Sequence, residues 1–186
     1  NITQGNRAKI DKFTINGNDK FTEKNLLRLF KLGEADMVLM NYFTKKDDFT
    51  ETAFASGINL MTNTYFDSGY LDFKVIDVDL SLNDNQEKIS ININISEGIQ
   101  YKIGKLSFNG ELGTMGLLDL NNAITLNEGD IFNRNSVIQN IQTLTDLFAD
   151  QGYAFIDINP ITSEFLDSVN IDFIVTLNKK TYINRI

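Results

Sequence analysis

The sequence has no cysteine, no histidine and no tryptophan, and it has a single proline in 186 residues. Without cysteine or histidine, the chain cannot form disulfides, thiolate or imidazole zinc sites, a thiol nucleophile or a histidine-based triad. Basic residues are also scarce, because 17 Lys and Arg stand against 25 Asp and Glu, for a formal net charge of −8 at pH 7. Nucleic acids and anionic lipids attract cationic proteins, so this charge argues against nucleic acid as a partner. No stretch approaches the roughly 20 consecutive apolar residues of a membrane-spanning helix.

What the sequence does contain is an internal repeat. Phe13, Ile15, Asn16 and Gly17 return in the same order and spacing as Leu106, Phe108, Asn109 and Gly110. A longer block recurs at one constant offset, and its apolar residues have the spacing of a helix stripe followed by a Gly-Tyr pair. The first copy is Phe49, Phe54, Ile58, Met61, Tyr65, Asp67, Gly69 and Tyr70, and the second is Phe132, Val137, Ile141, Leu144, Phe148, Asp150, Gly152 and Tyr153.

The repeat predicts the domain boundaries. We expect a first unit over residues 7–100, a second unit over 101–182, and the start of a following unit over 183–186. Gln4-Gly5 resembles the end of a unit, and the segment from Tyr182 resembles the opening of one, as at Tyr101. The sequence therefore predicts two internal units of a longer tandem array.

Each unit shows the pattern strand, helix, helix, strand, strand. Alternating residues predict the first strand, and the second helix is expected to end at Gly69 or Gly152, where glycine supplies a positive φ. In unit one the alternation over Val78–Leu82 and Ile89–Ile95 predicts a hairpin with one apolar face against the helices and one wet face. The fold class is therefore α+β, with two helices packed on one face of a three-stranded mixed sheet in each unit.

Edge strands are the candidate binding sites. Pro160 cannot donate to a strand ladder, so the strand over Ile156–Ile161 is predicted to lie at a sheet edge, guarded there by Asp157 and Asn159. The matching run in unit one has no proline and is the better candidate for binding an extended peptide by strand addition. Its residues are Val75, Ile76, Asp77, Val78, Asp79, Leu80, Ser81 and Leu82. An inert edge and a purely structural spacer are the alternatives.

The other clusters of acidic residues and glycines are better explained as solvated surface than as metal-binding, catalytic or phosphate-binding sites. Asp77, Asp79 and the acidic turn after them do not match a calcium-binding loop, Asp47-Asp48 lies in a polar loop, and the glycines from Gly110 to Gly116 lack the lysine of a phosphate cradle. A carboxylate hydrolase would need two carboxyl groups about 5 to 10 Å apart across one cleft. We therefore expect no catalytic, cofactor-binding or metal-binding residues. The apolar insert over residues 35–43 could either cover the core or contact a partner.

The motifs, taken in order, resemble POTRA (polypeptide-transport-associated) domains. The resemblance is carried by the Asn-Gly after each first strand, by Phe66-Asp67-Ser68-Gly69-Tyr70, by Asp150-Gln151-Gly152-Tyr153, and by Ser96-Glu97-Gly98 with Tyr101 between the units. It covers nearly the whole chain and is most similar to the third and fourth POTRA domains of the BamA family of outer-membrane protein assembly factors.

This resemblance implies a non-enzymatic periplasmic region of a Gram-negative outer-membrane protein, followed in the same chain by further POTRA domains and a C-terminal β-barrel. Its implied partners are unfolded outer-membrane proteins, paired along residues 75–82, and accessory lipoproteins of the β-barrel assembly machinery. Lipoprotein docking would place Leu29, Phe30 and Leu32 at a contact, although Gly33-Glu34 departs from the family pattern there. The alternatives within the fold are a TamA-like factor or a two-partner secretion transporter.

Overall fold

The computed structural model describes residues 9–30, 51–85 and 87–177, which fold into two compact units dividing near residues 66–70 and 98–99. The predictions that concern Leu32, Gly33-Glu34, the insert 35–43, Asp47-Asp48, Phe49 and residues 183–186 lie outside the described residues.

The first unit has the predicted order of elements. It contains β1 (Lys9–Asn16), α1 (Glu23–Leu27), a short 3₁₀ turn (Arg28–Phe30), α2 (Glu51–Phe66), β2 (Lys74–Leu82) and β3 (Lys88–Ser96). Thr22 begins α1 because its hydroxyl accepts a hydrogen bond from the backbone N–H of Asn25. After α2, Gly69 adopts a φ of 87°, as expected for a glycine that ends a helix.

The second unit repeats that order. It contains β4 (Lys102–Gly110), α3 (Leu117–Ala123), α4 (Arg134–Asp150), β5 (Ile156–Phe165) and β6 (Ser168–Leu177). The Asn133 side chain caps α4 by accepting from the N–H of Ser136 at 2.8 Å. β5 pairs with β6 as far as Phe165, which leaves only Leu166 and Asp167 to reverse the chain.

Both sheets are mixed and have the same topology. In the first, β3 is central, with β1 parallel on one side and β2 antiparallel on the other. In the second, β6 is central between the parallel β4 and the antiparallel β5. The strand that follows the helices therefore lies at a sheet edge in each unit, as Pro160 predicted for β5.

Each core lies between the helices and the central strand. Alternate residues of β3 and β6 are buried, as their period-two patterns predict. From the helix stripes, Met61 and Tyr65 of α2 are buried together with Val137, Leu144 and Phe148 of α4. Two further helix residues are buried that the apolar pattern does not include, Gly57 and Asn140.

Candidate functional site

The strand predicted to accept peptides, β2, forms one edge of the first sheet. It pairs with β3 alone among the described strands, so one side of its backbone has no strand partner. Val75 is opposite Ile95 and Asp77 is opposite Asn94, which makes Ile76 the extra residue of a β-bulge. From Asp77 to Leu82 the register is regular.

The face of β2 that shares the side of the buried β3 isoleucines is apolar. Val78, Leu80 and Leu82 lie opposite Ile93, Ile91 and Ile89 in the register. The three isoleucines are buried, whereas the three β2 residues are 36%, 49% and 54% exposed. The prediction that both strands of this hairpin bury their apolar face is therefore correct for β3 and wrong for β2. The reason is position, since an edge strand has a neighbouring strand on one side only.

The opposite face of the sheet carries a row of polar side chains. The Asn16 amide donates to the side-chain oxygens of Asn92 and Asn94, at 2.7 and 3.0 Å. The Asn94 amide in turn donates to Asp77 Oδ2 at 3.1 Å. This chain of side-chain hydrogen bonds crosses all three strands and ends at the β2 edge. The face is wet, as the sequence predicts, and Asp77 and Asp79 are both exposed.

The corresponding edge strand of the second unit, β5, differs in its backbone. Pro160 lies opposite Phe173, and pairing with β6 continues through it without a register shift. A proline is compatible with such a ladder when its nitrogen faces the free side, so this edge lacks one main-chain donor that β2 retains. Ile158 is buried, while Ile161 is exposed on the other face. Of the two edges, β2 offers the longer run of unbroken donors.

The residues predicted to contact a lipoprotein occupy different environments. Phe30 is 1% exposed, and its ring centre lies 4.8 Å from that of Phe13 and 5.6 Å from that of Phe54. Leu29, on the same 3₁₀ turn, is half-buried, and Leu32 lies outside the described residues. The Phe30 ring belongs to the core, and lipoprotein docking at this turn stays a prediction.

One cluster that sequence reasoning missed joins Tyr65 to Glu97. The buried Tyr65 hydroxyl donates to Glu97 Oε1 at 2.7 Å, and the same carboxylate accepts from the backbone N–H of Lys20 at 2.9 Å. Burial, and then the hydrogen bond to Glu97, raise the pKa of Tyr65 well above its usual range. The cluster ties α2, the end of β3 and the turn after β1 together, and a tyrosine held protonated in this way is a structural donor. Both residues belong to the motifs quoted above, but nothing in the sequence connects them.

No group of three or more acidic side chains among residues 9–30, 51–85 and 87–177 is arranged to hold a metal ion. An open depression beside α3 and α4 contains one carboxylate, Asp119, whose Oδ2 accepts from the Gly116 N–H and so caps α3. Within the described part of the chain, no helix has the length and apolarity to cross a bilayer.

The comparison with protein families gives two matches, one in each unit. The family described as surface antigen variable number repeat, POTRA, matches residues 8–98 and 101–178. The outer membrane protein assembly factor BamA of Neisseria meningitidis serogroup B is 26% identical over 187 residues, which cover 100% of this chain and 23% of that protein. BamA of Buchnera aphidicola is 24% identical, with 100% and 30% covered. The chain thus spans about a quarter of the length of these relatives.

Solved structures share the fold. BamA POTRA3-5 of Haemophilus influenzae gives a TM-score of 0.66 at 21% identity, covering 93% of this chain and 67% of that one. BamA of Haemophilus ducreyi lacking POTRA domains 1-3 gives 0.65 at 19% identity, covering 91% and 29%. POTRA1-2 of the periplasmic domain of Omp85 from Anabaena gives 0.51 at 12% identity, covering 96% and 98%.

Proposed function

The chain belongs to the POTRA family, and from this membership we propose that it is a non-enzymatic periplasmic scaffold of an outer-membrane β-barrel assembly machinery. In this proposal it binds unfolded outer-membrane proteins by β-augmentation, helps to dock accessory lipoproteins, and is continuous with further POTRA domains and a membrane β-barrel. Support for the setting comes from the relatives, which are outer membrane protein assembly factors.

The observation that carries client binding is the free edge of β2. Among the described strands its backbone has no partner on one side, and an extended peptide that pairs there can form main-chain hydrogen bonds whatever its side chains. The exposed Val78, Leu80 and Leu82 add apolar surface beside that edge. β2 thus combines a backbone edge open to pairing with adjacent apolar surface, and a sequence-tolerant site for unfolded β-strands requires both.

The proposed interaction is weak. Each main-chain hydrogen bond contributes about 0.5–1.5 kcal/mol net. Association and the ordering of a flexible peptide cost several kcal/mol, which removes most of the gain from pairing a short strand. We therefore expect dissociation constants of about 1 mM, which suit a scaffold that passes its clients onward.

The test is an NMR titration of the labelled chain with peptides copied from strands of outer-membrane β-barrels. In about 0.15 M salt, which screens exposed charges, we expect shift changes clustered on residues 75–82 and largely indifferent to peptide sequence. Prolines at Val78 and Asp79 provide the decisive variants, because successive residues direct their N–H groups to opposite sides of a strand. One substitution removes a bond to β3, and the other removes a donor of the free edge while keeping the fold.

The variant that retains a dispersed, native-like spectrum should lose peptide binding by at least about tenfold. A control peptide with proline at alternate positions has similar apolar content but cannot form a strand ladder, so it should leave the β2 signals unmoved. If neither a strand peptide nor a control peptide shifts β2 at millimolar concentration, the client-binding proposal is wrong and a spacer role is favoured.

A further inference from the structure

The bulge at Ile76 fixes how much of the β2 edge can receive a strand. Regular pairing with β3 begins at Asp77 and continues to Leu82, whereas the pairing of Val75 is displaced by the extra residue. A bulge bends and twists the strand that contains it, so an added strand in register with β2 is limited to the part beyond it. The usable edge is therefore residues 77–82.

Within that edge, side chains alternate between two different environments. Val78, Leu80 and Leu82 share the face of the buried β3 isoleucines and are each more than one-third exposed. Apolar residues at alternate positions of an added strand would stand beside them and remove their surface from water. An added strand that binds well at this edge is thus expected to be apolar on the face beside these residues.

The other face of the same six residues is acidic. Asp77 accepts one hydrogen bond from the neutral Asn94 amide, and Asp79 has no hydrogen-bonded or ionic partner among the described residues. Their β3 neighbours Asn94 and Asn92 are uncharged. By register, the nearest basic residue on this face is Lys74, which lies on β2 before the bulge, opposite Ser96, and Lys12 follows on the far side of β3, opposite Ser90. Among the described residues, neither carboxylate forms an ion pair with these lysines, in a chain of net charge −8.

Resting on the proposed function, we propose that the Asp77 and Asp79 carboxylates make this edge selective for β-strands whose polar face is basic. Residues directly opposite on neighbouring strands have Cβ atoms about 4.5–5.5 Å apart, close enough for a lysine or arginine to pair with each carboxylate. An acidic polar face would place like charges in contact there and is disfavoured. The partner is thus an alternating strand of about six residues, apolar on one face and cationic on the other.

Three blocked peptides test this selectivity with the 186-residue chain. Each has valine at alternate positions, and they differ only at two central residues of the polar face, which are lysine, glutamate or threonine. In NMR titrations at about 20 mM salt, we expect the lysine peptide to bind β2 about fivefold more tightly than the glutamate peptide, with the threonine peptide between them. The preference should shrink as salt rises, because both carboxylates are exposed.

Matched variants separate local recognition from the overall acidity of the chain. In Asp77→Asn/Asp79→Asn the ratio between the lysine and glutamate peptides should fall to about one. In Glu128→Gln/Asp150→Asn, which removes two exposed charges from the second unit, it should stay near fivefold. Equal binding of all three peptides at β2, or an unchanged ratio in Asp77→Asn/Asp79→Asn, would refute the selectivity and leave the proposed function standing. Absence of any β2 shift with the threonine and lysine peptides would refute the proposed function itself.

Discussion

Leu166 forms half of the turn between β5 and β6 and has a φ of 56°, in the left-handed region that a leucine side chain disfavours. It is also 80% exposed, so its side chain gains little from burial. Asparagine tolerates this conformation and is favoured in two-residue hairpin turns. Leu166→Asn should therefore raise the free energy of unfolding by about 1 kcal/mol in urea titrations.

Leu118 provides the control for that substitution. It is 73% exposed on α3, where the backbone is helical and asparagine is a weaker helix former than leucine. Leu118→Asn should leave stability unchanged or lower it by a few tenths of a kcal/mol. Equal effects of the two substitutions would mean that the turn conformation of Leu166 costs nothing.

The raised pKa of Tyr65 predicts that the folded state loses stability at alkaline pH. Its folded-state pKa lies above the usual value of about 10, because of burial and the hydrogen bond to Glu97. Below pH 10 both the folded and unfolded states keep the proton, so this tyrosine contributes no pH dependence. Above pH 10 only the unfolded state releases it, and stability falls by up to about 1.4 kcal/mol per pH unit.

Tyr65→Phe separates the two effects. At pH 8 the variant should be about 1 kcal/mol less stable than the parent, because the hydrogen bond to Glu97 is lost. Between pH 10 and 11 the difference should narrow or reverse, since phenylalanine does not ionise. Denaturant titrations of both proteins across pH 8–11 measure this difference, and a constant gap would contradict the assignment.

At the scale of the helix, replacing Gly57 of α2 with alanine should lower stability, whereas the same replacement at most helical glycines raises it. An alanine within a helix is usually more stabilising than glycine by about 1 kcal/mol. Here a Cβ would overlap Phe30 Cδ1 and come within 2.5 Å of Phe30 Cγ, in a buried environment. Overpacking costs about 1–3 kcal/mol, so Gly57→Ala should lower the free energy of unfolding.

Two companion variants make the Gly57 prediction specific. Ser56→Ala changes the neighbouring exposed position of α2 and should be neutral or slightly stabilising in the same urea titration. In Phe30→Ala/Gly57→Ala the Cβ has room, so the double variant should be less destabilised than the sum of the single ones. A stabilised Gly57→Ala would show that the Phe30 ring moves aside freely.

Individual elements also show which features a sequence can predict. The helix ends at Gly69 and Gly152 and the edge position of β5 depend on one residue each, so local chemistry was enough to find them. The exposure of Leu80, the bulge at Ile76 and the burial of Gly57 depend on neighbours distant in sequence. An alternating pattern is the same for a covered strand and an uncovered one, so the pattern predicts the same burial for β2 as for β3, and the structure differs.

For the whole molecule, the internal duplication made the fold predictable. A helix or strand assigned in one unit had to recur at the matching position of the other unit. The candidate site was predicted as a strand but not as a surface with two chemically different faces. The sequence alone favours ordinary solvated residues at Asp77 and Asp79, and only the register shows that their β3 neighbours are neutral asparagines. The Tyr65–Glu97 contact was not predictable either, because it requires the topology that brings the end of β3 to α2.

The order of strands in each sheet also determines when each unit can form. The central strands β3 and β6 come last in the sequence of their units, and the two outer strands of each sheet pair with them and not with each other. While a chain is still emerging from a ribosome or a translocation channel, β1 and β2 therefore have no strand to join until β3 has followed them out. The sheet of each unit therefore cannot form before its last strand is available, and until then its outer strands are open to chaperones and to mispairing.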